Sequence, residues 1–248
     1  MKAFWRWLQE PAHFVSCLAS LIPPLLVINL IDTYTPRIPM IDQWSGSLRI
    51  AVAVHTHTLD LEDFIWVHGG HWHFFNDLTT TVLTLASDWN IRLETWLNPL
   101  LASLNCLLLA YLFWQQAPRL LYIALPIFAA LVFALQQDGN WLNAYYATWH
   151  YVNFFFLAGL AALITLPIGW RTLLLVILLT ICGMLSFGTG MVLWGVLLLM
   201  IWAVGYRQPG YYIAWGIAAV LMIGLYLIKL QESEAYAPPG WAEPKTAP

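Results

Sequence analysis

The sequence predicts an all-α integral membrane protein with about seven spanning helices, on three observations. Charged residues make up 9% of the 248 positions and apolar residues 60%, whereas a soluble domain carries about a quarter charged residues. The charges are clustered, leaving Pro11 to Ile31, Thr95 to Pro118, Leu120 to Gln137, Gly139 to Trp170, Thr172 to Tyr206 and Gln208 to Ile228 without Asp, Glu, Lys or Arg. A spanning helix needs roughly 20 mostly apolar residues. Backbone groups in lipid must be hydrogen-bonded within the protein, which favours helices, and the short alternating segments of a β-barrel are absent.

The first span is placed near residues 13–31. The apolar stretch behind Lys2 and Arg6 is too long for a signal-peptide core and lacks a small-residue cleavage site, so it reads as a retained helix. A long exterior loop, 32–92, follows. Within it, Leu48, Val52, Leu59 and Trp66 fall at helix-like intervals, while Ile50, Val52 and Val54 alternate as a strand would. An amphipathic helix lying at the interface is expected for Leu48 to Trp66. Phe74 to Ser87 is apolar but short, and is expected to pack at the outer interface without crossing. Further spans are placed near 93–114, 119–136, 149–168, 171–187, 189–206 and 210–229, closing a polytopic domain over 1–230. The Pro-rich tail, 231–248, has the composition of a disordered segment. Gly183, Gly188, Gly190 and Gly195 read as helix-packing positions.

Counting basic residues at short loops places the N-terminus in the cytoplasm and the C-terminus outside, with Lys2, Arg6, Arg119, Arg171 and Arg207 inside. Of the 13 acidic residues, Glu10 alone then falls inside. Trp5, Trp7, Trp44, Trp89, Trp114, Trp141, Trp149 and Trp170 lie near span ends, as interfacial anchors do. No basic run points to nucleic acid. Cys17, Cys106 and Cys182 fall in spans without paired or metal-type spacing, and read as buried thiols.

Candidate chemistry therefore lies in the exterior segments. Asp42 and Asp138 each follow the outward end of a span, and two such carboxylates could hold a cation or accept a proton, although two solvated loop acids are the plainer reading. Asp60, Glu62 and Asp63 read as a solvated face. His55, His57, His68, His71 and His73 invite a metal reading, but Gly69-Gly70 interrupts any helix carrying His68 and His71, so contacts to headgroups or carboxylates rank ahead of a histidine metal site. Asn140, Asn143, Tyr145, Tyr146, His150, Asn153 and Arg92 are further polar groups near the same level.

Four stretches taken in order resemble the GT-C glycosyltransferases, polytopic enzymes that use polyprenyl-phosphate-linked sugars, in particular the N-terminal module of bacterial members. They are Pro39 to Trp44; His68-Gly69-Gly70-His71 through Asn76 to Arg92-Leu93-Glu94 and Leu97 to Leu101; Asp138-Gly139-Asn140-Trp141-Leu142; and Ser186 to Trp194. The resemblance implies a catalytic acid at Asp42 and a divalent cation (Mg, Mn or Ca) at Asp138 and Asp42. It also implies a lipid-phosphate or substrate site among Arg49, Arg92, His71, His73, Asn140 and His150. The implied partners are membrane lipid and a polyprenyl-phosphate-linked sugar donor, and the implied location is the bacterial cytoplasmic membrane. A non-catalytic scaffold, partner subunit or inactive relative on the same core is the alternative. A transporter ranks third, because the spans from Leu173 to Leu199 are nearly all apolar and no two related halves are visible.

Overall fold

The computed structural model describes Trp7 and residues 9–235, with side chains described as far as Glu232. The basic anchors Lys2 and Arg6 lie outside the described residues. The described chain is helical apart from one two-residue hairpin. In chain order its helices are α1 (Pro11–Tyr34), α2 (Ser47–His55), α3 (Leu61–Ile65), α4 (Phe74–Ser87), α5 (Ile91–Thr95), α6 (Leu97–Gln116), α7 (Leu121–Val132), α8 (Asp138–Leu142), α9 (Ala147–Thr165), α10 (Trp170–Ser186), α11 (Val192–Ala203) and α12 (Pro209–Ala235). Strands β1 (Val67–His68) and β2 (His71–Trp72) lie between α3 and α4.

Among the described residues five segments are long and apolar enough to cross a membrane: Pro11–Tyr34, Ile91–Gln116, Pro118–Leu142, Ala144–Thr165 and Pro209–Glu232. The other two predicted spans are shorter apolar helices, Trp170–Ser186 and Gly188–Ala203. Helix α12 continues to Ala235, past the point where the tail was expected to begin, and residues 236–248 lie outside the described residues.

The exposed and buried faces are inverted relative to a water-soluble protein. On α1, Phe14, Val15, Leu18, Leu21, Ile22, Leu25 and Leu26 are exposed, whereas Ser16 and Ser20 are buried. Ser16 donates to the Tyr122 carbonyl on α7 at 2.5 Å. Helix α4 repeats the pattern over 14 residues: Asn76, Asp77, Thr80, Thr81 and Thr84 face inward, while Leu78, Val82 and Leu85 are 41%, 55% and 75% exposed. An apolar surface this extensive needs a non-aqueous neighbour.

Packing runs along a row, α1 on α7, α7 on α6, α6 on α9 and α9 on α10, with α11 and α12 closing the far side. The largest core cluster lies at that far side, around Leu173, Met184, Leu197, Trp194 and Trp215. Glycines let α10 and the turn after it approach closely. A Cβ on Gly190 would meet the backbone of Gly183 and Met184 at 2.5 Å or closer, and one on Gly183 would lie 2.6 Å from Leu193. Gly195 has open space around it and is not a packing position.

The long loop is folded against the ends of these helices. Its first part is two short helices, not one amphipathic helix over Leu48 to Trp66: α2 ends at His55, and His57 takes a positive φ of 55°. Val52 is exposed; Ser47, Ile50, Ala51 and Ala53 form the buried face, packed on α4. Asp60 caps α3 by accepting from the backbone of Glu62 at 2.9 Å and Asp63 at 3.2 Å.

Candidate functional site

One feature of the loop places the histidines. Gly69 and Gly70, with φ of +57° and +78°, make a two-residue hairpin turn in which both central residues must adopt positive φ. The turn pairs His68 directly with His71 and Val67 with Trp72. Trp72 is buried in the large core cluster and donates from Nε1 to the Ile65 carbonyl at 2.9 Å. Tyr226, near the end of α12, donates to the Gly70 carbonyl and approaches His71 Nδ1 at 3.5 Å. The hairpin is thereby pinned to the helix bundle, and His68, His71 and His73 gather on one side of it.

A second anchor holds the segment carrying Asp42. Buried Glu94 accepts four hydrogen bonds: from Ser47 Oγ at 3.0 Å and Thr80 Oγ1 at 2.5 Å on Oε1, and from Gln43 Nε2 at 3.2 Å and Trp89 Nε1 at 3.0 Å on Oε2. Gln43, itself fully buried, accepts from the Met40 backbone N–H at 3.0 Å. Between them Ile41 has φ of +40°, in the left-handed region that β-branched residues strongly avoid. Such strain persists only where the surroundings over-determine it. Here the Gln43–Glu94 anchor does so, and Asp42 projects from the constrained turn.

The two anchored segments meet the N-terminal end of α9 and the C-terminal end of α10 around a cleft of about 130 Å³. Asp42, His68, His71 and His73 line it together with the rings of Tyr145, Tyr146, Trp149 and Phe187. His71 lies 3.9 Å from Phe187 and His73 lies 4.5 Å from Tyr145, between ring centroids. Gly188 is required at its position, because a Cβ there would strike the His71 ring.

The electrostatics of the cleft follow from burial. Burial lowers all three histidines, His73 to about 3; repulsion from His68 adds to the effect at His71 and His73, and Arg49 adds to it at His68. They are therefore neutral near pH 7. Asp42 opposes the shift at His68, where its Oδ1 lies 3.9 Å from Nε2. Ser45 Oγ lies 3.1 Å from the same Nε2. A nucleophilic triad needs serine and acid on opposite ring nitrogens, so Ser45 is not arranged as a nucleophile. The Asp42 side chain is 39% exposed, and its carboxylate takes no hydrogen bond from the described residues. It is a carboxylate open to the cleft and able to accept a proton.

Beneath the cleft, Arg49 pairs with Asp63, stands 3.8 Å from Asp77 Oδ2 and lies 4.6 Å over the Trp66 ring. Burial raises Asp77 to about 8, outweighing the pull of Arg49, whose closer partner is Asp63. Asp63 is thus part of an ion pair, not only of a solvated face.

The candidate residues separate into groups. Asp42, His71 and His73 line the cleft. Arg49 is turned toward Asp63 and Asp77, and Arg92 toward Asp32, where it borders another cleft of about 430 Å³ with Arg37 and Trp89. Asp138 is exposed at the start of α8 and does not line the cleft with Asp42. The Asn140 carbonyl accepts from Asn98 at 2.8 Å. His150 is buried away from the cleft, stacked on Trp141 at 5.2 Å. His55 and His57 are exposed. Among the described residues no three His, Cys, Asp or Glu side chains gather where they could hold a metal ion. The Asp42 and Asp138 carboxylates are not brought to one cleft, so the pair does not fit a single divalent cation held between them. Glu94, Asp77 and Phe187 have no individual role in the sequence pattern; His68, Tyr145, Tyr146 and Trp149 stand out there only as one of five loop histidines, as polar groups and as a span-end anchor.

No protein-family profile, curated protein or solved structure matches the chain.

Proposed function

We propose that the protein is a membrane glycosyltransferase moving a sugar from a polyprenyl-phosphate donor to an acceptor hydroxyl at the exterior face of a bacterial cytoplasmic membrane, with Asp42 as the base. The observation that carries this reading is the cleft itself: an open carboxylate on an over-determined turn, beside neutral histidines and four aromatic rings, at the ends of membrane helices. Aromatic rings offer apolar faces to the C–H faces of a sugar. At about 130 Å³ the cleft is smaller than the roughly 300–1,000 Å³ of whole-ligand pockets. It suits the reacting end of a larger molecule whose lipid chain lies outside.

In the reaction the acceptor oxygen attacks the anomeric carbon while its proton passes to the Asp42 carboxylate. The bond from that carbon to the phosphate oxygen breaks, and the electron pair leaves with polyprenyl phosphate. The leaving group is already a stabilised anion, so a base matters more than an acid.

Seven crossings with the N-terminus inside accord with the contacts. Asp32 pairs with Arg92, and Gln43 with Glu94, so both ends of the segment containing α4 stay beside the outer end of α1. Arg119, Arg171 and Arg207 then fall together at the opposite ends of the helices. A non-catalytic lipid-binding subunit is the second reading, favoured by Arg49 and Arg92 facing acids of the same chain. Purified protein in liposomes, offered radiolabelled sugars on polyprenyl phosphate or on nucleotides, separates the two. Transfer from the lipid-linked donor alone is expected. Transfer from neither donor would favour the subunit, and transfer from the nucleotide donor would refute the donor assignment.

A further inference from the structure

A second cleft, of about 350 Å³, opens between α6, α7 and α9. Its volume falls within the range of small-molecule sites. It is separate from the Asp42 cleft: Thr148 and Trp149 of α9 line that one, whereas His150, Asn153 and Leu157, on successive turns of the same helix, line this one.

Two of its polar atoms are unpaired. Asn105 is 3% exposed and His150 7%, yet Asn105 Oδ1 and His150 Nε2 have no hydrogen-bond partner. The orientation of the Asn105 amide is set, because its Nδ2 donates to the His150 carbonyl at 3.0 Å. Oδ1 is therefore the buried acceptor left without a partner among the described residues. Buried polar atoms without partners are rare and costly, and inside a membrane they mark functional positions. Asn105 sits about 12 Å along α6 from its first residue, by helix rise.

The lining selects the ligand. Asn105 Oδ1 accepts only, so the ligand must bring a proton. No Asp, Glu, Lys or Arg lines the cleft, so a phosphate would meet no cation and an ammonium no anion. A hydroxyl donates its one proton to Asn105 and accepts from His150 Nε2–H. Gln137 and Asn153, both exposed, add side-chain amides to the lining; the rest of the wall is apolar, from Leu109, Val132, Phe156 and Leu157, and Leu131 at the mouth is 67% exposed on the lipid-facing side of α7.

We infer that this cleft binds the hydroxyl end of a neutral lipid, with Asn105 and His150 as the polar contacts and the chains leaving past Leu131. The site differs in place and chemistry from the proposed transfer site, and its occupant carries no phosphate.

The test is native mass spectrometry of the detergent-purified chain with dioleoylglycerol, its methyl ether and dioleoyl phosphatidic acid. Dioleoylglycerol should bind best, and the ether about three to ten times more weakly, as expected for one lost hydrogen bond. Asn105→Leu should reduce dioleoylglycerol to the level of the ether while leaving the ether unchanged, and His150→Phe should weaken both. Leu131→Trp, at an exposed position that spares the polar pair, should weaken all neutral ligands even if the buried substitutions fail to fold. Equal binding of alcohol and ether, preference for phosphatidic acid, or binding indifferent to Leu131→Trp would overturn the assignment.

Discussion

Glu94 offers the sharpest probe of how the Asp42 segment is held. Its four donors differ in kind: Ser47 and Thr80 present hydroxyls, which also accept, whereas Gln43 Nε2 and Trp89 Nε1 only donate. In Glu94→Gln the new NH₂ can take the place of Oε1 and donate to the two hydroxyls, while the remaining oxygen keeps Gln43 and Trp89. All four contacts survive without their charge assistance, at a cost of about 1–2 kcal/mol. Glu94→Leu strands two buried N–H donors at about 1–3 kcal/mol each, or roughly 2–6 kcal/mol in all. Thermal unfolding in detergent, followed by reaction of a fluorogenic maleimide with Cys17, Cys106 and Cys182, reads the difference. Glu94→Leu should melt well below Glu94→Gln, with Glu94→Gln close to the parent. Equal melting of the two variants would refute the anchor.

Gly190→Ala places a methyl group against the Gly183 backbone and should cost about 1–3 kcal/mol or more, whereas Gly195→Ala, in open space, should be neutral or slightly stabilising; the same melting assay compares them. The pH dependence of melting has a definite shape. His68, His71 and His73 bind protons less tightly folded than unfolded, so stability rises up to about pH 6.5; Asp77, raised to about 8, binds its proton more tightly folded, so its contribution is lost as pH rises toward 8. Melting should therefore peak near pH 6.5 and decline toward 8, and Asp77→Asn should make that decline shallower than in the parent; an equally steep decline in the variant contradicts the assignment. Tyr226→Phe removes the bond to Gly70 and should cost about 0.5–1.5 kcal/mol, with faster hydrogen exchange confined to the hairpin; unchanged exchange there would argue against the pin.

The helices were legible in the sequence because charge-free stretches of membrane length admit few other structures, and a helix lies at each of the seven predicted places. One is shorter than expected: α10, Trp170–Ser186, is as long as the span predicted near 171–187, but the next segment, Gly188–Ala203, stops short of the predicted 206, just before Gly205 turns the chain with φ of +101°. Asp42 was legible as an isolated acid after the first span. The hairpin was partly legible: Gly69-Gly70 between two histidines is a two-residue turn signal that sets His68 opposite His71, not merely a helix breaker. For α4 the pattern left the inward face open: Leu78, Val82 and Leu85 are exposed, and the threonines with Asn76 and Asp77 form the buried side. Apolar periodicity marks a helix face in either solvent, but only tertiary contacts say which face is inside. Three of the four bonds of the Glu94 anchor join residues 14 to 51 positions apart, beyond a local window. Asp138 looked equivalent to Asp42 by its place after a span, and only the fold separates the two.

The base assignment is tested most directly by comparing Asp42→Asn with Asp60→Asn in the liposome transfer assay. Asparagine keeps the size of Asp42 and removes its capacity to take a proton, so transfer should fall about 10²–10⁴-fold with unchanged melting. Asp60, which caps α3 at a distance from the cleft lining, controls for loss of a loop carboxylate and should retain near-parent transfer. Parent-like transfer by Asp42→Asn, or equal losses in the two variants, would contradict the account.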